Sequence, residues 1–125
     1  MNRRERGLEV YGAQFGVSPE EAEQRMVEAF GSGFAEEAFA AAGGRAWQDE
    51  PLTRRDRSLV VVAVLAAQGG VEERLRTHVG FALANGATAD ELEALMILVA
   101  VYAGFPRASV AMEVVRDELA RLGAR

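Results

Sequence analysis

The chain has 125 residues, of which 50% are hydrophobic and 26% are charged, and its net charge is −5 at pH 7. This length suits one domain with a single core, and the acidic balance argues against nucleic-acid binding, which needs a basic face. Cysteine is absent, so disulfides, thiolate catalysis and cysteine-based metal sites are excluded. One histidine with carboxylates is a poor ligand set for zinc, and we predict no metal site.

The sequence has no signal for secretion or membrane insertion. Its N-terminal residues are charged, and no apolar run reaches the roughly 18 residues of a membrane span. We therefore predict a cytoplasmic protein that contacts no membrane. Many of the apolar residues are alanines. A short alanine-rich chain often completes its core by association, so we also expect an oligomer.

The first part of the chain predicts three short helices, over residues 3–15, 19–30 and 34–42. The first has apolar residues at helical spacing, and Ser18 followed by Pro19 is a typical start for the second. The turn between these two helices is similar to that of a helix-turn-helix motif. The second helix carries four glutamates, which would repel phosphate, so we prefer a capped surface helix.

A loop is predicted over residues 45–51, and it holds the only tryptophan, Trp47. The indole either anchors this loop against the core or lines a ligand cavity. Asp49 and Glu50 place two acids shortly after it.

Three arginines, Arg54, Arg55 and Arg57, follow the loop at the predicted start of the next helix. The helix dipole disfavours cations at this end. The arginines therefore either form structural ion pairs with Asp56 or Glu50, or bind an anion.

The run SLVVVAVLAA over residues 58–67 is ambiguous, because its valines favour a strand while its length and the following glycines suit a buried helix. The segment 71–84 is clearly helical, and Asn85 with Gly86 supplies its C-terminal stop. His78, the only histidine, lies at the border of the apolar stripe of this helix, a position that suits a half-buried imidazole. Its role is either structural or chemical.

Two more helices are predicted, over residues 89–103 and 107–122. Thr88 with Glu91 forms a capping box for the first of them. Tyr102, on an otherwise apolar helix, is either a core residue or a hydrogen-bond donor in a site. The last helix is amphipathic, and its inward residues are predicted to be Val110, Val114, Leu119 and Leu122.

Three segments together resemble the carboxymuconolactone decarboxylase family, whose all-helical fold is shared with alkyl hydroperoxidase D. They read RRDRSLVVVAVLAAQGG, RTHVGFALANGATADELEAL and AVYAGFPRAS. The similarity covers about residues 34–119 and implies that the valine run is a helix. It implies an all-α, single-domain bundle of six to seven helices over residues 1–125, with an N-terminal helical extension over 1–33 and a core over 34–122.

Within that bundle we expect the helices over 53–68 and 71–84 to pack as an antiparallel hairpin. The helix over 89–103 should complete the core. The resemblance also implies a ring-like homotrimer or homohexamer, with sites between subunits or beside the helix that carries His78.

The family has a thiol-peroxidase branch with the motif Cys-x-x-Cys-x-x-x-His. Aligned on His78, its two cysteines fall at Val71 and Arg74, and the acid of that branch falls at Ser58. The chain therefore has the histidine without either thiol. Peroxidase activity by that mechanism is excluded.

The decarboxylase branch needs no cysteine. The resemblance implies a carboxy-lyase that removes CO₂ from 4-carboxymuconolactone in protocatechuate breakdown through 3-oxoadipate, a part of aromatic catabolism. The electron pair that CO₂ leaves behind conjugates through the ring double bond into the lactone carbonyl. Because the substrate is its own electron sink, no cofactor is required.

Such a reaction needs a cation for the carboxylates, a donor for the developing enolate oxygen and an acid that protonates carbon. His78 is the one residue able to act as that acid near neutral pH. An arginine of the cluster would bind a carboxylate through two hydrogen bonds, and Tyr102 would donate to the enolate. The predicted site is thus catalytic His78 with substrate-binding Trp47, Arg54, Arg55, Arg57 and Tyr102.

Decarboxylases of the family tend to carry a basic residue just after this tryptophan, whereas this chain has Asp49 and Glu50. Two acids at the mouth of the site would repel an acidic lactone. Two alternatives therefore stay open. One is a related enzyme that uses His78 for proton transfer on a less anionic substrate, and the other is a non-catalytic oligomeric binding protein.

Overall fold

A computed structural model describes residues 1–125 and contains seven α-helices, one short 3₁₀ turn at Arg45–Trp47 and no strand. The prediction of an all-α fold with six to seven helices is confirmed, and the valine run is helical. The helices are α1 Arg3–Phe15, α2 Pro19–Phe30, α3 Ser32–Ala42, α4 Arg54–Gln68, α5 Glu72–Ala84, α6 Ala89–Ala103 and α7 Phe105–Arg121.

The helices form two compact units, Met1–Arg54 and Arg55–Arg125. Within the first unit, α3 packs against α1 and α2. The division into an N-terminal extension over 1–33 and a core over 34–122 stays a prediction. That the whole chain acts as a single domain stays a prediction.

In the first unit, α1 begins with a capping box, in which the Asn2 side chain accepts from the Glu5 backbone and the Glu5 side chain accepts from the Asn2 backbone. A glycine in the left-handed region, Gly16 at φ 70°, ends the same helix. The core of this unit is small and is formed by Leu8, Met26, Ala35 and Phe39.

In the second unit, α7 packs closely against both α5 and α6. All four helices contribute buried side chains to one core, among them Val62, Val79, Leu92, Met96, Val115 and Leu119. The side chain of Asn85, just after α5, bonds Ser58 near the start of α4, while the other ends of these helices are joined by a short turn. The two helices are therefore antiparallel, as predicted.

The inward face of α7 differs from the prediction at two positions, because Val110 and Leu122 are exposed. Since α7 lies against two helices, its buried face is wide and includes small residues such as Ala108 and Ala111. The charged residue Glu118 is also buried there. The hydrophobic pattern alone therefore misplaced this face.

Helix α4 is buried on one side only. Val62 and Ala66 lie in the core, whereas Val60 and Val64 are more than half exposed, at 55% and 56%. The valine run is therefore a helix, as the resemblance implied, with one buried and one exposed side. No helix of the chain is both long and apolar enough to span a membrane.

Candidate active site

His78 lies in the middle of α5 and is half-buried, as its place at the border of the apolar stripe predicted. Its ring contacts the ring of Phe81, with 6.2 Å between the ring centres. The Nδ1 atom is buried and has no hydrogen-bond partner. Buried polar atoms without partners are rare in folded proteins, so this nitrogen is a candidate for binding something other than the chain itself.

Burial also lowers the pKa of His78 below its ordinary value of 6.5, because the protein interior disfavours the charged imidazolium. The imidazole is therefore mainly neutral at neutral pH. In that state it can accept one hydrogen bond and donate another.

A polar contact lies at the end of the same helix. Asn85 is seven residues after His78, which puts both on one side of α5. The Asn85 Nδ2 atom donates to the Oγ of Ser58 at 2.9 Å, and Ser58 is fully buried.

The sequence reasoning missed Asn85, which we interpreted only as a helix stop. Its spacing of seven residues from His78 was the available signal. That Asn85 bonds Ser58 in α4 depends on tertiary packing, which the spacing along the sequence does not reveal.

Arg55 and Arg57 lie in the first turn of α4, in the second unit. Arg55 forms ion pairs with Asp56, at 3.3 Å, and with Glu91. Its charge is therefore compensated within the protein, which agrees with the structural alternative. Arg57 is only 9% exposed and directly precedes Ser58, so its guanidinium is the most buried cation of the cluster.

Trp47 and Arg54 belong to the first unit, where both line a cavity of about 410 Å³. Trp47 is half-buried. The Arg54 Nε atom lies 3.1 Å from the Asp49 Oδ1 atom, so this arginine also has an acidic partner. Carboxylates of Glu9 and Asp49 line the same cavity, which makes it mixed in charge.

Tyr102 is 85% exposed, so the interpretation of this residue as part of the core is wrong. It lines an open groove of about 450 Å³ between α4 and α6, whose other residues are apolar. His78 is not among the lining residues. They are Leu59, Val60, Ala63, Val64, Ala67, Leu95, Leu98, Val99, Tyr102 and Ala103.

No group of three or more His, Asp or Glu side chains is arranged so as to hold a metal ion. Among the predicted residues, Trp47 and Arg54 line one cavity of the first unit, whereas Tyr102 lines an apolar groove of the second unit. Neither of these two pockets is lined by His78 or Arg57.

Comparisons with known proteins agree with the resemblance carried by the sequence. The profile of the carboxymuconolactone decarboxylase family matches residues 33–117. Over 82 residues the chain is 40% identical to the 4-carboxymuconolactone decarboxylase of Acinetobacter baylyi. That alignment covers 66% of this chain, and the chain spans about 60% of the length of the relative. No solved structure matches the chain significantly.

The family match covers more than half of the chain and includes α4, α5 and α6 entirely, with His78 and the arginines. On this evidence the chain belongs to the carboxymuconolactone decarboxylase family.

Proposed function

We propose that this protein is a cofactor-independent decarboxylase that removes CO₂ from a carboxylated lactone of the type of 4-carboxymuconolactone. The relative from Acinetobacter baylyi carries that name and is 40% identical over the aligned residues. The observation that carries the proposal is the imidazole of His78, which has a buried nitrogen without a partner in the chain.

The reaction breaks the bond between a ring carbon and the departing carboxylate. The electron pair moves through the ring double bond into the lactone carbonyl, which becomes an enolate. A proton then joins carbon and restores the carbonyl. The protein has to supply charge stabilisation and that proton.

His78 is the proposed proton donor. In the free protein its lowered pKa keeps it mainly neutral. An anionic substrate beside the imidazole would raise the pKa and favour uptake of a proton, because an opposite charge stabilises the imidazolium. His78 would take up the proton with the substrate and transfer it to carbon.

Arg57 is the arginine that we propose for the carboxylate. Arg57 is only 9% exposed, so water screens the attraction between its charge and a bound carboxylate least. The side chains of Arg54 and Arg55 are more exposed, at 48% and 35%, so water weakens their charges more strongly.

The proposal is tested by assaying the purified protein with 4-carboxymuconolactone and measuring the release of CO₂. His78→Ala should lower kcat by about 10²- to 10⁴-fold, the usual contribution of general acid catalysis. Arg45→Gln, at an exposed position in the first unit, is the control and should keep wild-type activity. Failure of the well-folded wild-type protein to release CO₂ would refute the proposal.

A second candidate function is proton transfer by His78 on a less anionic substrate. It is favoured by the sequence, because Asp49 and Glu50 follow Trp47 where decarboxylases of the family tend to carry a basic residue. Asp49→Asn should then raise kcat/KM for 4-carboxymuconolactone. If the variant instead leaves kcat/KM unchanged, this acid does not select the substrate.

We also propose that the protein forms a homo-oligomer through the apolar side of α4 and α6. Six large, mainly apolar side chains on these two helices are exposed to water. Large exposed apolar patches usually mark sites of protein association. They are Val60, Val64, Ile97, Leu98, Val101 and Tyr102. A second copy of the chain that packs on this side would bury these six side chains and so extend the hydrophobic core.

A further inference from the structure

A second pocket lies in the Arg55–Arg125 unit, on the opposite end of α4 from Arg57. It has a volume of about 340 Å³, within the usual range for small-molecule sites. Apolar residues of α4, α5 and α7 form most of its wall, including Leu65, Leu75 and Ala111. Neither His78 nor Tyr102 lines it.

Arg107 supplies the only cation of the pocket wall. Its Nη1 atom donates to the backbone carbonyl of Gln68, the last residue of α4. A Cβ atom at Gly69 would lie too close to the guanidinium, which would then have to shift. The φ of 72° at Gly69 also suits glycine best. The backbone therefore holds the guanidinium in place at the pocket.

Arg107 forms no ion pair, unlike Arg76 and Arg121 in the same unit. The Arg107 side chain is exposed, so its other N–H groups are accessible to a ligand in the pocket. An anchored guanidinium with accessible donors next to an apolar wall is suited to bind a carboxylate with an apolar body. Glu72, also in the pocket wall, is the opposing charge and would repel a second carboxylate.

We propose that this pocket binds a small apolar monocarboxylate, with the carboxylate on Arg107 and the apolar body against Leu65, Leu75 and Ala111. Neither His78 nor an arginine of residues 54–57 lines the pocket, so the inference does not depend on the proposed decarboxylase reaction. The presence of Glu72 makes the site selective for one negative charge.

The test is an NMR titration of the full chain with benzoate and with benzamide, its neutral analogue of the same shape, observing methyl groups. Benzoate should shift the methyl signals of Leu65, Leu75 and Val110 and saturate. Because a charged hydrogen bond is lost, benzamide should bind about tenfold more weakly. Equal affinity for the two ligands would refute recognition of the carboxylate.

Two variants test the charges in opposite directions. Arg107→Gln should weaken benzoate binding about tenfold and leave benzamide binding unchanged. Glu72→Gln should strengthen benzoate binding, because a like charge is removed. Arg45→Gln is the matched control and should have no effect. Benzoate shifts confined to Val60, Val64 and Leu98 would place the ligand in the apolar groove and overturn the proposal.

Discussion

The Nδ2 atom of Asn85 donates a hydrogen bond of 2.9 Å to the Oγ of Ser58, and this contact joins the end of α5 to the start of α4. Ser58 is fully buried, so neither water nor a flexible neighbour replaces the hydroxyl easily. The bond fixes the helix of His78 relative to the helix of Arg57.

Ser58→Ala should therefore lower the free energy of unfolding by about 1–3 kcal/mol, because the Asn85 amide is left without its acceptor. Urea denaturation of the variant measures this change. Ser32→Ala, at an exposed position in α3, is the control and should stay within about 0.5 kcal/mol of the wild type. Equal stability of the two variants would show that the buried bond contributes nothing.

Substitution by alanine should have opposite effects on stability at two helical glycines of the first unit. A Cβ atom at Gly7 would overlap the carbonyl oxygen of Phe39, because α1 and α3 approach closely there, whereas Gly33 has no neighbour within 4 Å. Gly7→Ala should destabilise the protein by about 1–3 kcal/mol or more, as overpacking does. Gly33→Ala should stabilise it by up to about 1 kcal/mol through helix propensity.

Thermal unfolding monitored by circular dichroism measures both glycine variants. Opposite shifts of Tm are expected. A wild-type Tm for Gly7→Ala would mean that α1 and α3 separate without loss of stability.

The bounds of the helices were largely predictable, because their signals are local. Ser18 before Pro19 and Thr88 before Glu91 act through backbone groups three residues away, and α2 and α6 have the predicted bounds. Burial within a helix was less predictable. Val110 has the spacing of a core residue but is exposed, because the neighbours of α7 decide which side is covered.

The surroundings of the proposed site residues were predictable only in part, and their roles stay predictions. The half-burial of His78 followed from its position on an amphipathic helix. The ion pair of Arg55 with Glu91 joins residues far apart in sequence, and no local pattern indicates it. The exposure of Tyr102 was missed for a related reason, since an apolar helix without a partner on one side has the same sequence pattern as a buried one.

A charged residue on the apolar side of α4 and α6 should disrupt the proposed oligomer. Leu98→Asp should dissociate the proposed oligomer into monomers of 13.5 kDa, because a carboxylate at a buried contact would be left without a partner. Size-exclusion chromatography with light scattering measures the mass. Leu122→Asp, the same substitution at an exposed leucine outside this face, is the control. A monomeric wild-type protein would refute self-association.

Glu118 predicts a pH-dependent contribution to stability. Two hydrogen bonds from Arg121, at 2.7 and 2.6 Å, lower the pKa of this buried carboxyl below 4.5, and the charge of Arg76 on α5 adds to the effect. A carboxyl whose pKa is lowered by folding stabilises the protein above its unfolded pKa. That stability is lost as the pH falls through the folded pKa.

Glu118→Gln should therefore lower the free energy of unfolding at pH 7 by about 1.5–3 kcal/mol, the range for hydrogen bonds to charged groups. The difference from the wild type should shrink as the pH falls below 4.5. Urea denaturation at a series of pH values checks both statements. Glu113→Gln, at an exposed position of α7, is the control. A difference that does not change with pH would show that the charge of Glu118 is not responsible.

The pKa of His78 is directly measurable, because the chain contains one histidine and its imidazole signal needs no assignment. In a proton NMR titration the midpoint should lie below 6.5, since burial disfavours the imidazolium. The unfolded chain then binds the proton more readily, so stability should decrease as the pH falls from 6.5 toward the folded pKa. His78→Asn should remove this part of the pH dependence. A midpoint above 6.5 in the free protein would mean that a carboxylate, and not burial, controls the imidazole, and His78 would then be protonated before any substrate binds.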